Sequence, residues 1–164
     1  MKKRVGLAVL AAFAVVAAIG WTVLGLDRSP RETDLPVLRP NDPELVATGG
    51  AIYATQCAAC HGARLEGQPD WRTRGPDGML PAPPHDASGH TWHHPDETLF
   101  RITKFGVAKI IGDPDYKTAM PAYEGRLSDE EIVAVLSWIK AQWPASIRQR
   151  HDQMNAQAPK SPRP

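Results

Sequence analysis

The sequence predicts an all-α protein, with a transmembrane helix at the N-terminus and a small helical domain with long loops behind it. Three observations carry that expectation. Residues 5–26, VGLAVLAAFAVVAAIGWTVLGL, form an uncharged run of 22, and about 20 apolar residues span a bilayer as a helix. Three later segments repeat apolar side chains at helical spacing between local start and stop signals. No segment shows the period-two alternation of a half-buried strand.

The N-terminal run follows Lys2, Lys3 and Arg4. Cations flanking a membrane span stay on the cytoplasmic side, so the bulk of the chain is expected to be exported. The alternative is a cleaved signal peptide, whose apolar core is usually about 7–15 residues. This run is longer and no small-x-small site closes it, which favours an uncleaved anchor over residues 1–26. The chain carries 19 Lys+Arg against 18 Asp+Glu; without the three cations before the anchor the exported part has 16 against 18, a formal −2. There is no basic surplus and no basic stripe with interleaved aromatics, so nucleic acid is excluded as a partner. Two cysteines are too few for a disulfide framework.

Residues 27–42, DRSPRETDLPVLRPND, are charged, carry three prolines and lack periodicity. They read as a tether, which in polyproline-like form would span about 50 Å; the alternative is a segment wrapped on the domain. The folded domain is expected over 43–143. Asp42 can cap a helix whose first turn holds Pro43, with Leu45, Val46, Gly49, Ile52 and Tyr53 on one face. A long loop, 62–94, is rich in Gly, Pro and Asp. Pro95-Asp96-Glu97 opens a second helix that ends at Gly106 with Lys104 in its last turn. Another loop covers 107–124. Ser128 and Glu131 then form a capping box for a last helix with Ile132, Val135, Leu136 and Ile139 on one face, stopped by Pro144. The polar tail, 144–164, is expected to be frayed, with at most a turn or two of helix in IRQRHDQM.

The chemistry concentrates in TQCAACHG, residues 55–62, which holds both cysteines, Cys57 and Cys60, and His61. Four chemistries use such a pair. An exported bare dithiol would tend to close to a disulfide. A thioredoxin-like dithiol wants a βαβ setting. A structural zinc wants four ligands, usually with a second Cys or His pair at short spacing. Covalent haem attachment fits best. Two thiols three positions apart lie on one side of a helical turn, where they can add to the two vinyl groups of one porphyrin edge, and the following imidazole is held beneath the iron. A haem also gives the long loops a rigid body to pack on.

A sixth ligand would come from a methionine. Met120, followed by Pro121 in the loop before the last helix, is the candidate; Met79 and Met154 are the other exported methionines. Residues 85–94, HDASGHTWHH, hold His85, His90, His93 and His94. They can be haem-side structural residues, a solvated loop or a second metal site, and His93 or His94 could replace methionine as axial ligand. Trp138 and Trp143 are expected in the core. Glu130 and Glu131 open a helix, where its dipole accounts for them. No nucleophile–base pair and no phosphate loop is present, so no catalytic residue is assigned.

Over about residues 43–143 the chain resembles class I monohaem c-type cytochromes of the bacterial periplasm, in their membrane-anchored form. The segments that carry the resemblance are GGAIYATQCAACHG and MPAYEGRLSDEEIVAVLSWIKAQ. It implies the class I cytochrome c fold, three to four helices and long loops around one covalent haem c. Gly49 and Tyr53 match the small and aromatic residues at that family's helix crossing, and Val135 and Trp138 match their partners. Met120 matches the distal ligand of the M-P-x-[FY] motif, and a carbonyl within Pro81–Pro84 would bond the proximal imidazole. The pattern also resembles haem domains fused to terminal oxidase subunits.

The function expected is single-electron transfer, not enzymatic turnover. Cys57 and Cys60 would bind the haem, His61 and Met120 would ligate its iron, and the haem domain would stand in the periplasm on an inner-membrane anchor with its N-terminus cytoplasmic. Redox partners would be a quinol-oxidising complex or a terminal oxidase. The alternatives are a fixed haem c subunit of a larger membrane oxidoreductase, or a haem peroxidase or gas sensor if the methionine is labile.

Overall fold

The computed structural model of the protein describes residues 37–158. The expected anchor, most of the expected tether and residues 159–164 lie outside the described residues. Among the described residues no helix is long and apolar enough to cross a membrane. The elements there are α1 (Pro43–Gln56), α2 (Ala58–His61), a 3₁₀ turn (Thr91–His93), α3 (Asp96–Phe105), α4 (Val107–Ile111), α5 (Asp129–Ala141) and α6 (Ala145–Gln157), with no strand.

The helix ends follow from local chemistry. The Asp42 carboxylate accepts from the Leu45 N–H at 3.1 Å, and Pro43 starts the helix where no donor is needed. Ser128 and Glu131 close a reciprocal capping box, the Ser128 N–H on the Glu131 carboxylate at 2.8 Å and the Glu131 N–H on the Ser128 hydroxyl at 3.2 Å. Gly106, at φ 84°, ends α3 in a conformation that only glycine adopts without strain.

The core is the crossing of α1 over α5. A Cβ on Gly49 would overlap the Ala134 carbonyl and lie 2.9 Å from the Trp138 Cβ, so the backbones can approach only because that position has no side chain. One turn on, Tyr53 packs on Trp138 with ring centroids 4.6 Å apart. Val135 lies in the same core, and Ala134 is the residue directly against the glycine. Trp143 is likewise buried.

Three expectations are corrected. The end of the tether is a strap packed on the domain: Leu38 is 4% exposed, its N–H donates to Asp96 Oδ2 at 2.9 Å, and the Arg39 N–H donates to the Ser137 hydroxyl at 2.9 Å. The Arg39 guanidinium also pairs with Glu130. The loop at 107–124 begins with the short helix α4. The polar tail is for most of its length a helix, α6, of 13 residues.

The third correction has a clear cause. α6 is held by a buried polar network in place of an apolar stripe. His151 is 0% exposed. Its Nε2–H donates to the His94 carbonyl at 2.9 Å, and its Nδ1 accepts from Asn155 Nδ2 at 3.2 Å. Asn155 in turn brackets Asp96, donating to Oδ1 at 2.9 Å and accepting the Asp96 N–H at 2.8 Å. Lys140, from α5, reaches Asp152 at 2.6 Å and Asp96 at 3.9 Å. Trp143 meets the His151 ring edge-on at 5.0 Å. Among the described residues no buried side-chain nitrogen or oxygen lacks a hydrogen-bond partner, which is the condition for burying one.

Two predictions follow from this packing. Alanine is favoured over glycine in a helix by about 1 kcal/mol, but overpacking against a fixed backbone costs about 1–3 kcal/mol. Gly49→Ala therefore lowers the urea midpoint measured by circular dichroism, and a raised midpoint would mean the helices do not touch there. Burial and the Lys140 charge push the His151 pKa below its usual value of 6.5, outweighing the His94 carbonyl, Asp96 and Asp152. The unfolded chain then binds the proton more readily, so stability falls as pH drops below about 6.5 towards the depressed folded value. His151→Gln flattens part of that slope in denaturation curves between pH 7.5 and 5.5. The flattening is partial because His85, His90 and His94 are displaced the same way.

Candidate haem site

α1 delivers its C-terminus to the cysteines. The Cys57 backbone, at φ −122°, departs from helical geometry, yet its N–H still reaches the Tyr53 carbonyl at 3.0 Å. Its own carbonyl accepts from both Cys60 N–H at 3.1 Å and His61 N–H at 2.9 Å, winding the next four residues into α2. The two cysteines are not bonded to each other, Cys57 being half-buried and Cys60 exposed. Burial, with the Cys60 charge adding, pushes the Cys57 thiol up to about 11 against the pull of the Tyr123 hydroxyl. A redox-active dithiol needs a depressed pKa, and the Cys57 thiol is displaced the other way. Among the described residues no three His, Cys, Asp or Glu side chains converge as a metal site. A tetrahedral zinc set is therefore not assembled around the thiols.

His61 is buried, and its Nδ1 lies 2.8 Å from the Pro83 carbonyl oxygen. A carbonyl only accepts, so the network assigns the proton to Nδ1 and leaves the Nε2 lone pair free. Burial lowers the pKa of the ring, more than the Pro83 carbonyl raises it, and so keeps the imidazole neutral. Such a fixed tautomer is what a metal-ligating histidine requires. Sequence reasoning left Pro81–Pro84 undivided; the fold selects Pro83. The selection comes from Gly67, at φ 68°, where a Cβ would overlap Pro84 N and the Pro83 carbonyl carbon. Around it the Gln68 N–H bonds the Ala82 carbonyl at 2.9 Å and the His85 N–H bonds the Leu65 carbonyl at 2.8 Å. Leu65 itself is held at φ 68°, a strained conformation for a leucine, and is 3% exposed.

Two cysteines one helical turn apart, followed by an imidazole with one nitrogen fixed and the other free, are the donor set of a covalently attached haem. The residues present fit that group. The Tyr53 hydroxyl locks the turn by donating to the Gly62 carbonyl at 2.8 Å.

The loop carrying Met120 is tied to the same turn. The Tyr123 N–H reaches the Thr103 and Lys104 carbonyls at the end of α3, each at 3.1 Å. The Tyr123 hydroxyl donates to the Gln56 carbonyl at 2.8 Å and also meets the Cys57 thiol. Met120 is half-buried, and its N–H bonds the Thr118 hydroxyl at 3.1 Å. Met79 sits in a separate tight turn, with its N–H on Asp77 Oδ1 at 2.9 Å. Met154 lies on α6.

The histidines at 85–94 separate into different roles. His85 lies face to face with His61, ring centroids 3.9 Å apart. His90 stacks on Trp71 at 5.2 Å, and His93, exposed, stacks on Trp92 at 3.7 Å. His94 gives its carbonyl to His151. They do not gather as one metal site. Sequence reasoning did not anticipate Tyr123 as the link to Cys57 or His85 as the neighbour of His61. The M-P-x-[FY] pattern pointed to the tyrosine but not to its partner.

Replacing both thiols, Cys57→Ser with Cys60→Ser, abolishes covalent pigment, read as loss of haem staining on a denaturing gel. Pigment that survived denaturation would mean another attachment point.

Comparison with known proteins agrees with the site. The family described as "Cytochrome C oxidase, cbb3-type, subunit III" matches residues 44–139. The "Gluconate 2-dehydrogenase cytochrome c subunit" of Pantoea cypripedii is 25% identical over 99 residues, covering 58% of this chain and 20% of that protein. The chain thus spans about a fifth of the length of that curated relative. No solved structure matches closely. With the attachment turn, its fixed imidazole and a match over residues 44–139, the chain belongs to the cytochrome family of cbb3-type oxidase subunit III and is a monohaem c-type cytochrome with a covalently bound haem c.

Proposed function

We propose that the chain is a membrane-anchored periplasmic electron carrier, in which His61 and Met120 ligate one haem iron from opposite sides and electrons pass between respiratory membrane complexes. A quinol-oxidising complex and a terminal oxidase are the partner classes. When bound, haem c supplies one-electron exchange between Fe(II) and Fe(III).

The observation that carries the reading is the His61 imidazole, buried on the attachment turn with Nδ1 committed to Pro83 and Nε2 free. Met120 is favoured as the opposite ligand because Tyr123, three residues on, docks its loop against Gln56 and Cys57. A thioether is soft, and with histidine it raises the reduction potential. Two permanent ligands leave no open position for a substrate. Residues 5–26 and the cations before them support the anchor and the periplasmic placement. Anchoring confines the haem domain to the membrane surface, which raises its effective concentration at partners there.

A second reading, a fixed subunit of a larger oxidoreductase, is favoured by one observation: the Pantoea relative is itself a dehydrogenase's cytochrome c subunit. Gentle solubilisation separates the two, since a stoichiometric complex that survives purification rules out the free carrier.

Met120→Ala should turn the ferric iron high-spin and lower its potential, read by absorption spectroscopy and redox titration. An unchanged spectrum would move the ligand assignment to another residue, Met79 first. Cyanide added to the parent protein at neutral pH is expected to bind slowly; rapid binding would favour a sensor or peroxidase over a carrier.

A further inference from the structure

The hydrogen bond from His61 Nδ1 to the Pro83 carbonyl fixes where one ring atom points. One hydrogen bond tolerates a broad range of angles, so it leaves the ring plane some libration about the Cβ–Cγ bond. A second contact narrows that range. His85 supplies a flat face, parallel to His61 within 21° at a centroid separation of 3.9 Å.

His85 is itself held on several sides. Its Nδ1 lies 2.8 Å from the Thr91 hydroxyl, which in turn donates to the Pro84 carbonyl at 3.4 Å. That hydroxyl therefore accepts from His85, and the network assigns the His85 proton to Nδ1. The backbone N–H of His85 is bonded to Leu65 and its carbonyl accepts from Trp143 Nε1 at 2.7 Å. Tyr53, from the helix crossing, meets the ring edge-on at 6.4 Å and 71°. The histidine-rich loop is closed tightly enough to hold this arrangement: a Cβ on Gly89 would overlap the Pro84 carbonyl.

We propose that His85 is a positioning residue that sets the plane of the His61 imidazole by face-to-face stacking, with Thr91 fixing the plane of His85. An aliphatic side chain would fill the same space but offer no flat face and no polar handle for registration. The constraint runs from Thr91 through His85 to His61, and it gives part of the GHTWHH segment a role at the haem site without metal binding. The proposal rests on His61 being the proximal ligand. In a low-spin ferric haem the plane of the axial imidazole orients the unpaired electron density, so the plane is readable by spectroscopy. Outer contacts of this kind commonly tune a ligated metal.

The test uses the mature holoprotein and three variants, His85→Ala, His85→Phe and Thr91→Val. The readouts are the hyperfine-shifted haem methyl resonances and the g values of the ferric state, with the reduction potential alongside. His85→Ala, which removes the stacked face, redistributes the methyl resonances and shifts the g values and potential. His85→Phe, which keeps a flat face but loses the Thr91 bond, and Thr91→Val, which loses only that bond, both move in the same direction as His85→Ala by a smaller amount. A His85→Ala holoprotein with the parental methyl pattern overturns the proposal, as does a His85→Phe variant displaced as far as His85→Ala. If His85→Ala does not accumulate, Thr91→Val decides, and a parental pattern there overturns it. A parent protein whose covalent haem lacks histidine ligation would instead sink the ligation reading, a result visible before any variant is made.

Discussion

The close crossing of α1 over α5 at Gly49 is the constraint on which the site depends. α1 ends in the attachment turn, so whatever fixes the axis of α1 fixes the cysteines and His61. The missing side chain at Gly49 lets the backbone sit against the Ala134 carbonyl. The Tyr53–Trp138 contact sets the rotation of α1. Tyr53 then acts twice, because its hydroxyl reaches past the cysteines to the Gly62 carbonyl. A core contact and a site contact are thus made by one side chain.

Around this crossing the helices make up only part of the described polypeptide. Much of it is loop, and the loops are organised by specific backbone pairings near His61: Gly67 to the His61 carbonyl at 2.8 Å, and His85 to Leu65 at 2.8 Å. These short pairings bring a proline carbonyl to the imidazole and an aromatic face to its plane. The strain at Leu65 is the local cost of that geometry. The other side of the domain is closed by the Asp96, Lys140, His151 and Asn155 network. An unpaired ion in such an interior would be strongly destabilising, but here each charge has an opposite charge or a hydrogen-bond donor at hand.

Some features could be read along the chain and others could not. Asp42, Ser128 with Glu131 and Gly106 announce helix ends because each satisfies backbone groups within about four residues of itself. The Cys-x-x-Cys-His run is legible for the same reason: its geometry is one helical turn. The full length of the helix over Ala145–Gln157 was not legible, since the face it packs on the domain carries His151 and Asn155 with a single apolar residue, Ile147, too few to show a stripe. The strap at Leu38 was hidden inside a proline-rich, charged stretch that looks unstructured by composition. α4 was missed because five residues are too short to show a period.

The sequence by itself determined the attachment chemistry, the all-helical class and most helix starts, because these depend on residues a turn apart. Only the tertiary structure decided that Pro83 faces His61, that His85 lies over it, and that the strap and the last helix close on Asp96. Those choices are made by hydrogen bonds such as Leu38 to Asp96 and Asp96 to Asn155, between residues 58 and 59 positions apart. No local pattern records such pairings; they exist only once the chain has folded back on itself.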